Sequence, residues 1–135
     1  MDHAAIPTDH PEEMIEFYRS LGFGILGEQA WREGRRGGFS LVLDDTKINV
    51  HGPAMWRDEA FTLRGPTALP GCGDFCFVWD GDPASAVDLL TSIGARLEEG
   101  PIDRIGGRAA STATGTSVYT RDPDGNLVEL IAYPS

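Results

Sequence analysis

The carboxylate of Glu129 is the group whose position most strongly indicates chemistry. It lies inside the segment Asn-Leu-Val-Glu-Leu-Ile-Ala at residues 126–132, which otherwise suits a buried strand. A charge in such a position costs several kcal/mol unless it is paired with an opposite charge or bound to a metal ion. The sequence therefore leaves two interpretations of Glu129, an ion pair with Arg108 or Arg121, or a functional carboxylate.

Two histidines extend this pattern towards metal binding. His3 lies beside an apolar run at residues 4–6, and His51 ends the segment Lys-Ile-Asn-Val-His. Strand alternation places Asn49 and His51 on one face of that segment. Two neutral imidazoles and a carboxylate suit a divalent ion such as iron, manganese, zinc or nickel, and leave positions for water, substrate or dioxygen. We therefore predict one divalent metal bound by His3, His51 and Glu129. The alternatives are an exposed terminal histidine for His3 and a histidine at a strand end without a functional role for His51.

An internal repeat indicates the elements that position these side chains. Residues 10–22 read H-P-E-E-M-I-E-F-Y-R-S-L-G, and residues 82–94 read D-P-A-S-A-V-D-L-L-T-S-I-G. Each segment has a proline near its start, apolar residues at helical spacing and a glycine at its end, which is typical of a helix. The sequence therefore predicts one helix in each of two similar modules.

Strand patterns flank both predicted helices. In the first module we predict strands at 3–8, 23–31, 38–43 and 47–51, and in the second at 74–80, 95–102, 116–121 and 127–133. The order is βαβββ, a connector, then βαβββ, which indicates an α+β class. We predict one domain over residues 1–135, with module one at 1–52, the connector at 53–71 and module two at 72–135.

Composition and charge restrict the classes of partner that the protein is expected to bind. The 135 residues are 41% hydrophobic and carry a formal charge of −10, typical of a globular protein. Acidity disfavours nucleic acid and anionic membranes as partners, but permits an anionic small molecule in a local pocket. With no apolar run long enough for a membrane helix and no signal segment, we expect a cytoplasmic location. Cys72 and Cys76 lack redox or zinc spacing, and we expect inert, buried or half-buried thiols.

Four segments resemble the vicinal oxygen chelate superfamily of glyoxalases, bleomycin resistance proteins and extradiol dioxygenases. They are F-Y-R-S-L-G-F at 17–23, K-I-N-V-H at 47–51, L-E-E-G-P at 97–101 and Y-T-R-D-P-D-G-N-L-V-E-L at 119–130. The chain is similar to the glyoxalase-domain-containing-protein-five-like group. The resemblance implies curved sheets enclosing a cavity, with one metal bound by the first and last strands of each module.

Carried onto this chain, the superfamily's ligand positions match His3, Asp74 and Glu129. For the last strand of module one, counting from the turn gives Asn49, whereas imidazole chemistry favours His51, and we choose His51. Asp74 departs from the superfamily, in which many members carry histidine there. Because members often pair modules between two chains, we expect a homodimer with shared sites, a site within one chain being the alternative.

The resemblance implies a metal-dependent dioxygenase, lyase or isomerase acting on a small molecule that chelates the metal through adjacent oxygens. We predict Glu129 and Asp74 as catalytic residues. The residues predicted to bind substrate are Asn49, Tyr119, and two arginines of a mobile loop at 103–115, Arg104 and Arg108. The alternative function is a sequestering protein without catalysis, and the sequence does not identify the substrate or the metal.

Overall fold

The computed structural model describes all residues from Met1 to Ser135, which fall into two compact units. The first unit comprises Met1–Gly73 with Pro123–Gly125, and the second comprises Asp74–Asp122 with Asn126–Ser135. Each unit contains one four-stranded mixed sheet and one ten-residue helix. The predicted α+β class with a repeated βαβββ order is confirmed. No helix is both long enough and apolar enough to cross a membrane.

The first unit is built on the sheet order β1-β4-β3-β2. Its strands are β1 His3–Pro7, β2 Gly24–Leu26, β3 Gly38–Leu43 and β4 Thr46–His51, and its helices are α1 Pro11–Ser20, α2 Glu28–Arg32 and α3 Pro53–Trp56. Strand β1 runs parallel to β4, and β3 runs antiparallel to it. Helix α1 buries Met14, Ile15 and Tyr18, and β3 buries Phe39 and Leu41. These side chains form the core of this unit.

The second unit repeats this plan with the order β5-β8-β7-β6. Its elements are β5 Asp74–Val78, α4 Pro83–Ser92, β6 Glu99–Ile105, α5 Arg108–Ser111, β7 Thr114–Arg121 and β8 Leu127–Ala132. Helix α4 contacts β7 and β8 and buries Ala86 and Leu90. Val128 and Leu130 are buried, whereas Glu129 between them is half-buried. Strand alternation therefore places Glu129 on the face of the sheet opposite these two residues.

Two predicted element boundaries are wrong. The strand predicted at 23–31 ends at Leu26, because Gly27 adopts a left-handed conformation (φ 80°) and helix α2 begins at Glu28. That helix is supported by an i,i+4 ion pair between Glu28 and Arg32. The strand predicted at 95–102 is shifted and runs from Glu99 to Ile105. Consequently Arg104 lies in a strand, and the loop predicted at 103–115 is shortened to residues 106–113.

The environment predicted for the two cysteines is also wrong. Both Cys72 and Cys76 are exposed free thiols in this chain. In β5, Cys76 shares the exposed face with Asp74 and Val78, whereas Phe75 and Phe77 on the other face are half-buried. The type of residue alone does not show which face of the strand it occupies.

A glycine is required where β3 meets the end of β4. A Cβ at Gly38 would lie 1.9 Å from the carbonyl oxygen of Val50. Because that neighbour is backbone in a paired strand, we expect Gly38→Ala to lower the free energy of unfolding by about 2–3 kcal/mol. Gly24→Ala in β2 is the matched control, since its nearest neighbour would be Val42 Cβ at 3.7 Å. Equal urea midpoints for the two variants would contradict this account.

Candidate functional site

The registers of the two parallel strand pairs identify matching positions in the two units. In the first unit, His3 is paired with the residue two positions before Asn49. In the second, Asp74 is paired with the residue two positions before Glu129. The pairs His3–Asn49 and Asp74–Glu129 are therefore equivalent. The register therefore places Asn49, rather than His51, at the position that matches Glu129.

The geometry of β1 and β4 disfavours the predicted sharing of one metal by His3 and His51 within a chain. His51 is paired with Pro7, four residues along β1 from His3. That separation is about 13 Å along the strand direction, and strand side chains stand roughly perpendicular to the sheet. The two imidazoles therefore do not converge on one ion. In addition, no three or more His, Cys, Asp or Glu side chains of this chain are grouped so as to hold a metal.

The two histidines have different surroundings. His3 is exposed, and its Nδ1 lies 2.6 Å from Oδ1 of the exposed Asp2. His51 is half-buried, and its ring meets that of Phe61 edge-to-face with centroids 5.1 Å apart. Burial, and after it the positive charge of Arg64, lower the pKa of His51 below its ordinary value. His51 is therefore a neutral imidazole at pH 7.

Glu129 lies at the centre of a polar cluster on the second sheet. Glu129 lies in β8 and is paired with Cys76 in β5 on one side and with Tyr119 in β7 on the other. The hydroxyl of Ser117 donates a hydrogen bond of 2.6 Å to Oε2 of Glu129. We call Cys76, Arg104, Ser117, Tyr119 and Glu129 the Glu129 cluster. It places a half-buried carboxylate among thiol, hydroxyl and phenol groups.

No ion pair neutralises Glu129, although an arginine partner was one interpretation of the sequence. None of the ion pairs of the chain includes its carboxylate. Arg121 instead pairs with Glu98 at 2.9 Å. The guanidinium of Arg108 lies over the ring of Tyr133, 4.4 Å from its centroid. The negative charge of Glu129 is thus available to a ligand.

Tyr119 and Arg104 extend the cluster towards β6. The Nε of Arg104 donates a hydrogen bond of 3.1 Å to the hydroxyl of Tyr119. Burial raises the pKa of Tyr119, and Glu129 acts in the same direction, while Arg104 opposes both. Tyr119 is therefore a neutral phenol at pH 7. The cluster offers an acceptor at Glu129 and donors at Tyr119 and Arg104, which suits a small polar ligand.

The first unit has an uncharged counterpart of this arrangement. Oδ1 of Asn49 accepts a hydrogen bond of 2.8 Å from the hydroxyl of Ser40 on the neighbouring strand. An amide and a hydroxyl can bind a ligand oxygen but contribute no charge. Asp74, in the second unit, is exposed and adds to the negative potential at Cys76. Of the four matching positions, only the two in the second unit, Asp74 and Glu129, therefore carry acidic side chains.

Comparison with known proteins identifies the family. The sequence pattern described as the Glyoxalase/Bleomycin resistance protein/Dioxygenase superfamily matches residues 1–130. The chain belongs to this superfamily. It is 32% identical over 133 residues to the glyoxalase domain-containing protein RDO1 of Mycosarcoma maydis, covering 98% of this chain and 68% of that protein.

A second relative of this superfamily member has a solved structure. Virulence protein STM3117 of Salmonella typhimurium is 30% identical over 134 residues, covering 98% of this chain and 83% of that protein. Its crystal structure matches with a TM-score of 0.81, covering 99% of this chain and 96% of that chain. TnmS3, an antibiotic binding protein from Streptomyces, matches at 20% identity with a TM-score of 0.71, covering 99% and 95% of the two chains. That last likeness shows the fold alone.

The sequence analysis did not predict three polar residues of the two matching sites, Ser117, Ser40 and Cys76. Ser117 lies two residues before Tyr119 in β7, so strand alternation places both on one face and was sufficient to find it. Ser40 follows from the same rule once β3 and β4 are aligned. Cys76 was interpreted as an inert thiol because no cysteine motif surrounds it. Only the register between β5 and β8 reveals that it faces Glu129.

The contact between Cys76 and Glu129 predicts an unreactive thiol. Although the residue is exposed, partial burial of its thiol, followed by the charge of Glu129, raises the pKa of Cys76 to about 12. Because the thiolate is the nucleophile, iodoacetamide near pH 8 is expected to modify Cys76 more slowly than Cys72, which is also exposed. Glu129→Gln removes the neighbouring charge and is expected to raise the Cys76 rate about 3- to 10-fold. Peptide mass spectrometry measures both rates, and an unchanged Cys76 rate in the variant would contradict this assignment.

Proposed function

We propose that the protein is a metal-dependent enzyme that acts on a small molecule carrying two adjacent oxygen atoms. The observation that carries this proposal is the Glu129 carboxylate, half-buried, hydrogen-bonded to Ser117 and without an ion pair. A carboxylate in such surroundings is a good ligand for a divalent cation. The membership of the chain in a superfamily of glyoxalases and dioxygenases supports the same class of chemistry.

The donor types at three of the four matching positions fit a divalent ion. His3 offers an imidazole, Asn49 an amide oxygen and Glu129 a carboxylate, while the carboxylate of Asp74 at the fourth position is assigned to proton transfer. These groups suit manganese, iron, zinc or nickel. Because one chain does not group three of its His, Cys, Asp and Glu side chains around an ion, we propose that a second copy completes the site in a homodimer.

The residues of the Glu129 cluster have distinct roles in this proposal. A divalent ion would supply Lewis-acid chemistry at a substrate oxygen. Glu129 would hold the ion, and Ser117 orients its carboxylate through the hydrogen bond to Oε2. The exposed Asp74 accepts the substrate proton. Tyr119 and Arg104 donate hydrogen bonds to a substrate oxygen and orient it.

The first test is metal content and oligomeric state measured on the same sample. Untagged protein is purified without chelator, analysed for iron, manganese, zinc and nickel, and titrated anaerobically with each ion. We expect one ion per chain and a dimer by light scattering. Failure to bind any of these ions would overturn the metal-dependent proposal, and a monomer that binds the ion fully would overturn the shared site.

Two histidine variants test the choice of ligand. We expect His3→Ala to weaken binding of the ion, since His3 occupies a ligand position. His51→Ala serves as the matched control and is expected to leave the affinity unchanged, because His51 lies at the opposite end of the strand pair. The opposite result would restore His51 as the ligand.

A second candidate is a sequestering protein that binds a small molecule without converting it. It is favoured by the absence from one chain of a complete donor group for a metal. The superfamily's own description includes bleomycin resistance proteins. Titration of chelator-treated protein with bleomycin tests this candidate. Saturable binding unaffected by chelator or by His3→Ala would support sequestration, whereas metal-dependent turnover would exclude it.

A further inference from the structure

A pocket lies in the segment that connects the two βαβββ repeats. It has a volume of about 500 Å³, within the usual range for small-molecule sites. Its lining includes Trp56, Arg57, Phe61 and Arg64, all in the first unit. We call it the connector pocket. Neither the metal proposal nor the Glu129 cluster uses any of these residues.

The guanidinium of Arg64 is the least satisfied group in this pocket. Its Nη2 donates a hydrogen bond to the carbonyl oxygen of Ala68. Its Nε is shielded from solvent and has no hydrogen-bond partner, and no ion pair includes the side chain. A buried donor without a partner is costly, and such groups are rare in native proteins. A bound acceptor would remove this cost.

The second arginine of the pocket is already neutralised. Arg57 pairs with Asp9 at 2.6 Å and lies over the ring of Trp56, 5.0 Å from its centroid. Asp58 and Glu59 also line the pocket and are exposed. Solvent screens these exposed carboxylates, but they still disfavour a ligand with several negative charges. The half-buried Arg64, which has no ion pair, is therefore the group that favours an anion, and a single negative charge suits it.

The remaining surface of the pocket is aromatic. Phe61 is half-buried, and its ring packs against the neutral imidazole of His51. Trp56 is held in place by a hydrogen bond of 2.9 Å from its indole N–H to the carbonyl oxygen of Thr8. Two positioned aromatic side chains beside a guanidinium match a planar ring that carries one carboxylate.

We propose that the connector pocket binds a small aromatic monocarboxylate, with its carboxylate on Arg64 and its ring against Phe61 and Trp56. A rotation of the Arg64 side chain that presents Nε together with an Nη gives a bidentate pair, the strongest arrangement between arginine and a carboxylate. The site is separate from the Glu129 cluster in its residues. The proposal does not depend on metal binding.

Benzoate is the probe for this proposal, with benzamide as its neutral counterpart. The indole N–H resonance of Trp56 reports on the pocket in amide-correlation NMR spectra, and those of Trp31 and Trp79 serve as internal references. We expect benzoate to shift the Trp56 resonance saturably and benzamide to bind at least about 10-fold more weakly. No shift up to about 10 mM benzoate, or equal affinity for benzamide, would overturn the proposal.

Arginine variants test which guanidinium binds the carboxylate of benzoate. Arg64→Lys keeps the charge but removes Nε and the bidentate geometry, so the affinity for benzoate is expected to fall at least about 10-fold. The matched control Arg57→Lys is expected to change it less than about fivefold. A loss on Arg104→Lys instead would place the ligand at the Glu129 cluster and overturn the proposal. If Arg64→Lys does not fold, the comparison of benzoate with benzamide on the unaltered protein decides.

Discussion

Glu129→Gln is expected to weaken binding of a divalent ion strongly. Loss of a residue that only supports a metal ligand lowers the affinity about 10- to 100-fold, and loss of the ligand Glu129 is expected to lower it more. The substitution keeps the size of the side chain and its contact with Ser117 but removes the negative charge and one carboxylate oxygen. Since Asn49 at the matching position is neutral, the first unit supplies no compensating charge. Competition with a chromophoric chelator measures the affinity, and loss of turnover is expected to accompany it.

Two controls test whether a loss of metal affinity is specific to Glu129 and independent of a loss of stability. Glu98→Gln removes an exposed carboxylate that pairs with Arg121, and we expect it to leave the metal affinity unchanged. The metal-free Glu129→Gln protein is expected to differ from the unaltered protein by no more than about 1–2 kcal/mol in free energy of unfolding, because only one charge-assisted hydrogen bond is weakened. Equal metal affinities for both variants would show that Glu129 is not a ligand.

Leu41→Ala is expected to lower the free energy of unfolding by about 3–5 kcal/mol. Leu41 lies in the middle of the central strand β3 and is 0% exposed. Replacement by alanine removes buried apolar surface and leaves a cavity between the sheet and its packed neighbours. The loss is a large part of the about 5–15 kcal/mol that stabilise a typical domain.

The control for Leu41 is a leucine outside the core. Leu63 is 87% exposed in the connector, so Leu63→Ala is expected to change stability by less than about 0.5 kcal/mol. Urea unfolding followed by circular dichroism compares the two variants with the unaltered protein. Similar midpoints for Leu41→Ala and the unaltered protein would contradict the position of Leu41 in the core.

The repeated plan of the fold was predictable because local chemistry encodes it. Pro11 and Pro83 begin the two long helices, and glycines at 22 and 94 follow their ends with positive φ. The hairpin between β7 and β8 follows from its turn sequence in the same way. These signals act within a few residues, so they do not depend on the rest of the chain.

Element boundaries were less predictable where local and tertiary preferences compete. The residues after Gly27 have a pattern that suits a strand, but the ion pair of Glu28 with Arg32 and the left-handed glycine favour a helix. Strand β6 is placed by its antiparallel pairing with β7, which includes a register shift between Glu99 and Ile102. Pairing partners far apart in sequence set such boundaries, and a single segment does not contain that information.

The sequence by itself determined that Glu129 is a functional candidate and that two βαβββ repeats carry the chain, because a charge in an apolar strand and a repeated pattern are local facts. It did not distinguish Asn49 from His51, since residues two apart in a strand share a face. Only the pairing of β1 with β4 and of β5 with β8 decided this, because a register is defined by hydrogen bonds between distant segments. The same pairing brought Cys76 to Glu129, and the fold of the connector brought His51 to Phe61.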